Sequence, residues 1–271
     1  MKTILTAAVL SAVATGAFAA DHCAAGKTLT DGTLTIATGN PAYYPWVLND
    51  APEAGEGFEA AVAYALAKEM GFGADQVTWV RTSFDEAIQP GVKNFDLNMQ
   101  QYSITEERDK VVDFSAPYYT APQAVLTTQA IVDGGATGTM ESLKGLKWGV
   151  VASTTALPVV MEQIEPDASP LVYDDNTNVT AALQAGQIDA ALFDLPTALY
   201  LSAVVVEGGA ILGQFDPAAA ENPDQFGMLM PEGSALKACV DEALAAMTDS
   251  GKLAEIEAQW LQEATGVPLI Q

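Results

Sequence analysis

With 49% hydrophobic and 17% charged residues over 271 positions, the chain has enough apolar side chains to bury two cores and too many to be disordered. A formal net charge of −24 sets its surface against polyanions, which excludes nucleic acid and anionic lipid as partners. The single histidine, His22, lies near the start, which excludes a Ser-His-Asp triad in the folded body and a multi-histidine metal site; no metal and no cofactor is expected.

The chain opens on Lys2, an apolar run over 4–14 and the small-residue stretch Gly16-Ala17-Phe18-Ala19, the pattern of a secretory signal peptide cleaved after Ala19. The run is shorter than the roughly 20 apolar residues of a spanning helix, and no later stretch reaches that length, so an exported protein without direct membrane insertion is expected. Cys23 follows Ala20-Asp21-His22, which lacks the small apolar character of a lipid-attachment signal. The acidic residues are spread along the chain, as on a solvated surface.

Strands are predicted over 34–38 and 77–80. Between them Phe58, Val62, Ala65, Leu66 and Met70 recur at helical spacing and Gly71 supplies a stop, giving a βαβ unit. Segments 95–99, 124–128, 148–151, 188–193 and 226–230 continue the strand series, with helices near 155–164, 179–184 and 195–204. Two amphipathic helices close the chain, one carrying Leu236, Val240, Leu244 and Met247, the other Leu253, Ile256, Trp260 and Leu261. Segments 133–138 and 216–224 read as surface loops, and the glycines of the first are too irregular for a phosphate loop. Such alternation gives α/β sheets with ligand clefts beyond the carboxyl ends of the strands.

Residues 103–119, SITEERDKVVDFSAPYY, resemble a marker of the periplasmic amino-acid-binding proteins that serve ABC importers, the extracellular solute-binding proteins of family 3. The resemblance continues through 32–46 (GTLTIATGNPAYYPW), 57–71 (GFEAAVAYALAKEMG), 143–155 (LKGLKWGVVASTT), 185–196 (AGQIDAALFDLP) and 226–261, nearly the whole mature chain. It implies a two-lobed type II periplasmic-binding-protein fold with the cleft between lobes joined by two hinge strands. The implied division is a first lobe of 20–120 plus 229–271 and a second of 121–228, hinged near 120–123 and 226–228. It also implies capture of a small amino-acid-type ligand in the periplasm by lobe closure, and delivery to the membrane subunits of an ABC importer.

A buried zwitterion needs a fixed cation and a fixed anion. Arg108 matches the family arginine that holds the ligand carboxylate through a two-pronged contact, and Asp194 matches the aspartate that holds its ammonium, while also standing where a helix N-cap belongs before Leu195-Pro196. Ser153, Thr154 and Thr155 follow a strand and open a helix, so their hydroxyls and free backbone N–H groups suit a carboxylate or simple capping; Thr155 best matches the family contact. The resemblance assigns Ser103 to the same carboxylate, Tyr43 to an aromatic wall over the ligand and Phe84 to packing against its side chain, with core packing the alternative for both rings. Trp46 reads as structural. Asn40 stands where binders of basic amino acids often carry aspartate, and Gln100, Gln101 and Tyr102 replace the family's smaller or aliphatic residues at a ligand wall; a neutral or polar amino acid follows. Placed in one lobe by the resemblance, Cys23 and Cys239 are candidates for a disulfide.

Two rival classes remain. A cyclohexadienyl-dehydratase-like enzyme on the same fold would use an added carboxylate as acid or base, and none of the 35 Asp and Glu residues sits in a motif that marks one. An extracellular sensor domain would need a membrane span or a partner.

Overall fold

The computed structural model describes residues 23–220, 223–261 and 266–271; the signal-peptide reading of 1–19 and His22 lie outside them. Among the described residues no helix is long and apolar enough to cross a membrane.

In chain order, the first lobe contributes β1 (Leu34–Thr38), α1 (Phe58–Glu69), β2 (Val77–Arg81), α2 (Phe84–Ile88), β3 (Leu97–Asn98) and β4 (Val112–Phe114) before the chain leaves through β5 (Tyr119–Thr120). The second lobe follows as β6 (Gln123–Thr128), α3 (Gln129–Asp133), α4 (Met140–Lys144), β7 (Trp148–Val151), α5 (Ala156–Pro158), β8 (Leu171–Tyr173), α6 (Asn176–Gln184), β9 (Ala190–Asp194), α7 (Leu195–Tyr200) and β10 (Gly209–Gln214). The return passes through β11 (Gln225–Phe226) to β12 (Leu229–Pro231), α8 (Lys237–Asp249) and α9 (Lys252–Trp260).

Among the described residues two five-stranded sheets result, ordered β2-β1-β3-β12-β4 and β10-β6-β9-β7-β8, joined by a two-stranded ladder of β5 and β11. In the first, β1 pairs parallel with β2 and β3, and returning β12 inserts antiparallel between β3 and β4. Leu34 and Ile36 of β1, the apolar face of α1 and Val240, Leu244 and Met247 of α8 form one core. In the second sheet successive residues face opposite sides, as strand geometry demands: Leu126 packs with Val179, Leu183 and Phe193, while its neighbour Val125 packs with Trp148, Val160 and Leu192. This is the expected two-lobed α/β architecture. Cys23 and Cys239 are bonded, with Cα atoms 5.5 Å apart, which fastens the start of the described chain to α8.

Several elements depart from the sequence reading. The strand expected over 226–230 is two strands, because Gly227 stands between the hinge ladder and the first sheet: a Cβ there would lie 2.7 Å from Ile104, and its N–H bonds Tyr102 O at 3.0 Å. The helices expected over 155–164 and 195–204 each change after one short α-turn into a wider π-helical turn, at Val159–Ile164 and Leu201–Val205. Segment 133–138 is a surface loop as expected apart from its first residue: Asp133 ends α3, and 134–138 lead on to α4.

The assignment of 229–271 to the first lobe is corrected at its end. Leu269 bridges in parallel to Gln214 of β10, Ile270 N–H donates to Gln214 O at 2.9 Å, and Gln271 exchanges backbone bonds with Gly138 and Met140. Ile270 also packs on the Val125–Trp148 core, so the last residues belong to the second lobe. The apolar pair Leu269-Ile270 finds a sheet edge to cover there, which composition alone does not locate.

Candidate functional site

A cavity of about 400 Å³ lies between the lobes, within the range of small-molecule sites. The strand ends and loops at its rim supply polar side chains from both lobes.

Arg108 comes from the first lobe, at the start of the short turn Arg108–Lys110 that feeds β4. Only 9% exposed, it lies over the Phe84 ring with its Cζ 5.4 Å from the centroid. Its Nη1 donates to Ser103 O at 2.8 Å, and its Nη2 crosses the cleft to Ser153 O at 2.6 Å. Those bonds use two of five guanidinium N–H groups and fix the plane of the fork. Burial lowers the Arg108 pKa, opposed chiefly by the charge of Asp224.

Asp194 ends β9 in the second lobe and caps α7, its Oδ1 accepting the Thr197 N–H at 2.8 Å. Burial raises its pKa to about 6, partly offset by the Thr197 bonds and assisted by the charge of Asp224. Capping and a place on the cavity wall coexist at this residue.

Ser103 Oγ and Thr155 Oγ1 approach from opposite lobes to 3.3 Å. Thr155 precedes α5 with no side-chain cap, so its hydroxyl serves the cleft and not the helix. Thr154 lines the cavity, but its hydroxyl donates to Val151 O at 2.8 Å within its own turn. Ser153 does not line the cavity: it is exposed, has a left-handed φ of 60°, and contributes its carbonyl to Arg108. The expectation that its hydroxyl faces a ligand is corrected accordingly.

Tyr43 lines the cavity and its hydroxyl meets Thr177 Oγ1 of α6 at 3.1 Å, bridging the lobes. Asn40 and Phe84 also line the cavity, and Phe84 stacks on Tyr102 with ring centroids 4.5 Å apart. Trp46, buried as expected, adds a cross-lobe bond from its Nε1 to Thr197 Oγ1 at 2.8 Å.

Gln101 lines the cavity in a left-handed conformation, φ 54°, that costs a non-glycine residue on the order of 1 kcal/mol or more. Buried Glu59 holds it there, taking the Gln101 N–H at 2.8 Å and its side-chain amide, and also the Tyr118 hydroxyl. Burial raises the Glu59 pKa to about 7, with the Tyr118 and Gln101 bonds opposing. Gln100 accepts the Tyr102 hydroxyl at 3.0 Å.

Sequence reasoning missed Gln123 and Asp224, both on the cavity wall. Gln123 opens β6, three residues past the end of the outbound hinge strand, and Asp224 is the last residue before the returning one. Asp224 reads as the end of a surface loop, and only the pairing of β5 with β11 turns it inward. Among the described residues no cluster of three His, Cys, Asp or Glu side chains is arranged to hold a metal ion.

The model of the bacterial extracellular solute-binding proteins, family 3, matches residues 34–263. The chain is 28% identical over 272 residues to the ABC transporter arginine-binding protein 1 of Escherichia coli (strain K12), covering 97% of this chain and 100% of that protein. Its fold is similar to that of an ancestral arginine-binding protein bound to glutamine, at TM-score 0.70 and 29% identity, over 86% of this chain and 100% of the other. It is also similar, at TM-score 0.67 and 28% identity over 85% of this chain and 96% of the other, to an ancestral amino acid-binding protein described as a precursor of cyclohexadienyl dehydratase. Profile, fold and a two-lobed cleft holding a buried arginine agree: the chain belongs to the bacterial extracellular solute-binding proteins, family 3.

Proposed function

We propose that the protein, exported to the periplasm and freed of residues 1–19, captures an amino acid by closing its lobes and presents it unchanged to the membrane subunits of an ABC importer. The observation that carries this reading is that Arg108 of the first lobe and Asp194 of the second line one cavity. Arg108 receives the ligand carboxylate on the N–H groups not used by Ser103 and Ser153, with the Ser103 and Thr155 region beside it. Asp194 receives the ammonium. Tyr43 and Phe84 enclose the aliphatic part, and Asn40, Gln101 and Thr154 complete the wall.

The relatives' names support the ligand class, since arginine and glutamine both occur in them. The enzymatic reading, of the cyclohexadienyl-dehydratase kind, finds less support. Glu59, whose pKa of about 7 suits an acid or base, is committed to Tyr118 and Gln101 and does not line the cavity.

A thermal-shift screen against the twenty amino acids tests the proposal, because a ligand at about 100 times its dissociation constant adds about 2.7 kcal/mol of stability. Mass spectrometry of each stabilising mixture should recover the ligand intact. Turnover, or stabilisation by none of the amino acids, contradicts it.

A further inference from the structure

We propose that Asp224 is a specificity-determining residue, which with Gln123 and Thr155 receives a second cationic group on the ligand, beyond the α-ammonium. This rests on the reading of the cleft as an amino-acid site.

Gln123, Thr155 and Asp224 form one hydrogen-bonded cluster beside the two hinge strands. Asp224 Oδ2 accepts from Gln123 Nε2 at 2.6 Å and from Thr155 Oγ1 at 3.1 Å, and Gln123 Nε2 also donates to Thr155 Oγ1 at 3.1 Å. A threonine hydroxyl owns one hydrogen, a primary amide two, and an ionised carboxylate none. The Thr155 hydrogen is therefore committed to Asp224, and both amide hydrogens of Gln123 are committed within the cluster. All capacity left on it is accepting. Asp224 Oδ1 and Gln123 Oε1 are indeed both buried without a hydrogen-bond partner among the described residues.

Charge points the same way. Arg108 is the one cationic side chain among the described cavity-lining residues, against Asp85, Asp174, Asp175, Asp194 and Asp224. A zwitterionic ligand engages Asp194 with its ammonium and, with its carboxylate, takes up Arg108, the cation whose charge otherwise offsets Asp224, so Asp224 is left without a cation of its own as the lobes exclude water. A buried acceptor without a donor is costly, and a charged one more so. A ligand with a guanidinium or ammonium side chain removes that cost, a neutral isostere does not, and an acidic side chain adds repulsion. Asn40, which argues for a neutral ligand when only one wall is considered, brings no charge of its own and does not offset these carboxylates.

Calorimetry on the mature protein with L-arginine and L-citrulline, whose urea group replaces the guanidinium at nearly the same size, tests this directly; L-lysine and L-norleucine form a second pair. The wild type should favour the cationic member of a pair by about tenfold to a hundredfold. Asp224→Asn, which keeps an acceptor for Thr155 and Gln123 but no charge, should bring the ratio close to one, and Asp224→Ser serves if the asparagine variant fails to fold. A wild-type ratio near one overturns the proposal without any variant, as does a variant that keeps the wild-type ratio. Binding of neutral or acidic amino acids but neither cation overturns the role of Asp224 alone. Binding of no amino acid overturns the site reading beneath it.

Discussion

Asp194 and Glu59 are two carboxyls whose burial raises their pKa values into the range of ordinary experiments, to about 6 and about 7. With Asp194 in the proposed role of ammonium partner, the expected consequence is a pH-dependent affinity. An ammonium prefers the carboxylate form, so binding expels a proton from the fraction of Asp194 that holds one, and affinity falls as pH drops below about 6. Calorimetry at pH 5 and pH 7.5, in buffers of different ionisation enthalpy, should show weaker binding and proton release at the lower pH, both absent in Asp194→Asn. Pairs of equal affinity at the two pH values would contradict it. Glu59 governs stability. Its folded pKa lies above the ordinary carboxyl value of 4.5, so its contribution is fully present below about pH 4.5 and is lost as pH rises through about 7. The ligand-free melting temperature should fall over that window, and Glu59→Gln should flatten the fall. At this scale Arg108 and Asp194, which line one cavity, were legible as candidates because each sits in a local sequence pattern. The sequence did not tell of Glu59 gripping Gln101 or of the inward turn of Asp224, since both depend on contacts between segments 42 residues apart or more.

At the level of elements, the two ends of the described chain are each fastened by an interaction of long sequence separation. The Cys23–Cys239 bond closes a separation of 216 residues, which on the chain-entropy view contributes up to about 5 kcal/mol. Cys23→Ser with Cys239→Ser should lower the melting temperature markedly while leaving ligand affinity at a given temperature unchanged, because neither residue lines the cavity. An unchanged melting temperature would contradict a structural role. The carboxyl-terminal strap is the second fastening. A Cβ at Gly213 would lie 2.7 Å from Ile270 Cδ1 and 3.0 Å from Pro268 O, so the strap would have to shift to admit it. Gly213→Ala should therefore loosen residues 266–271 at a cost of about 1–3 kcal/mol, read as faster amide exchange there. Unaltered protection would show that the strap does not depend on this approach. The strap was illegible in the sequence because six residues carry no periodicity, whereas α1 and α8, with long apolar faces, were legible throughout. The broken helices after Thr155 and Asp194 show the complementary failure. Apolar spacing marks a helical stretch but does not distinguish a 3.6-residue turn from the wider one that follows it here.

For the whole molecule, the hinge ladder and the cross-cleft contacts describe a clamp. Ser103 with Thr155, Arg108 with Ser153, Tyr43 with Thr177 and Trp46 with Thr197 all join the lobes, so the site exists as a unit only when they meet. Binding energy is then coupled to closure, and a ligand that bridges Arg108 and Asp194 stabilises the closed form over the open one. The central claim, that this clamp closes on an amino acid through a buried arginine, is tested most directly by calorimetry of the mature protein and its Arg108→Ala variant with the amino acid that gives the largest thermal shift. One ligand per chain is expected for the wild type and binding weaker by more than about a hundredfold for the variant, with the fold intact by circular dichroism, since losing the partner of a buried charge costs on the order of 3 to 5 kcal/mol. Wild-type affinity in Arg108→Ala would contradict it, and would remove the carboxylate site on which the capture mechanism stands.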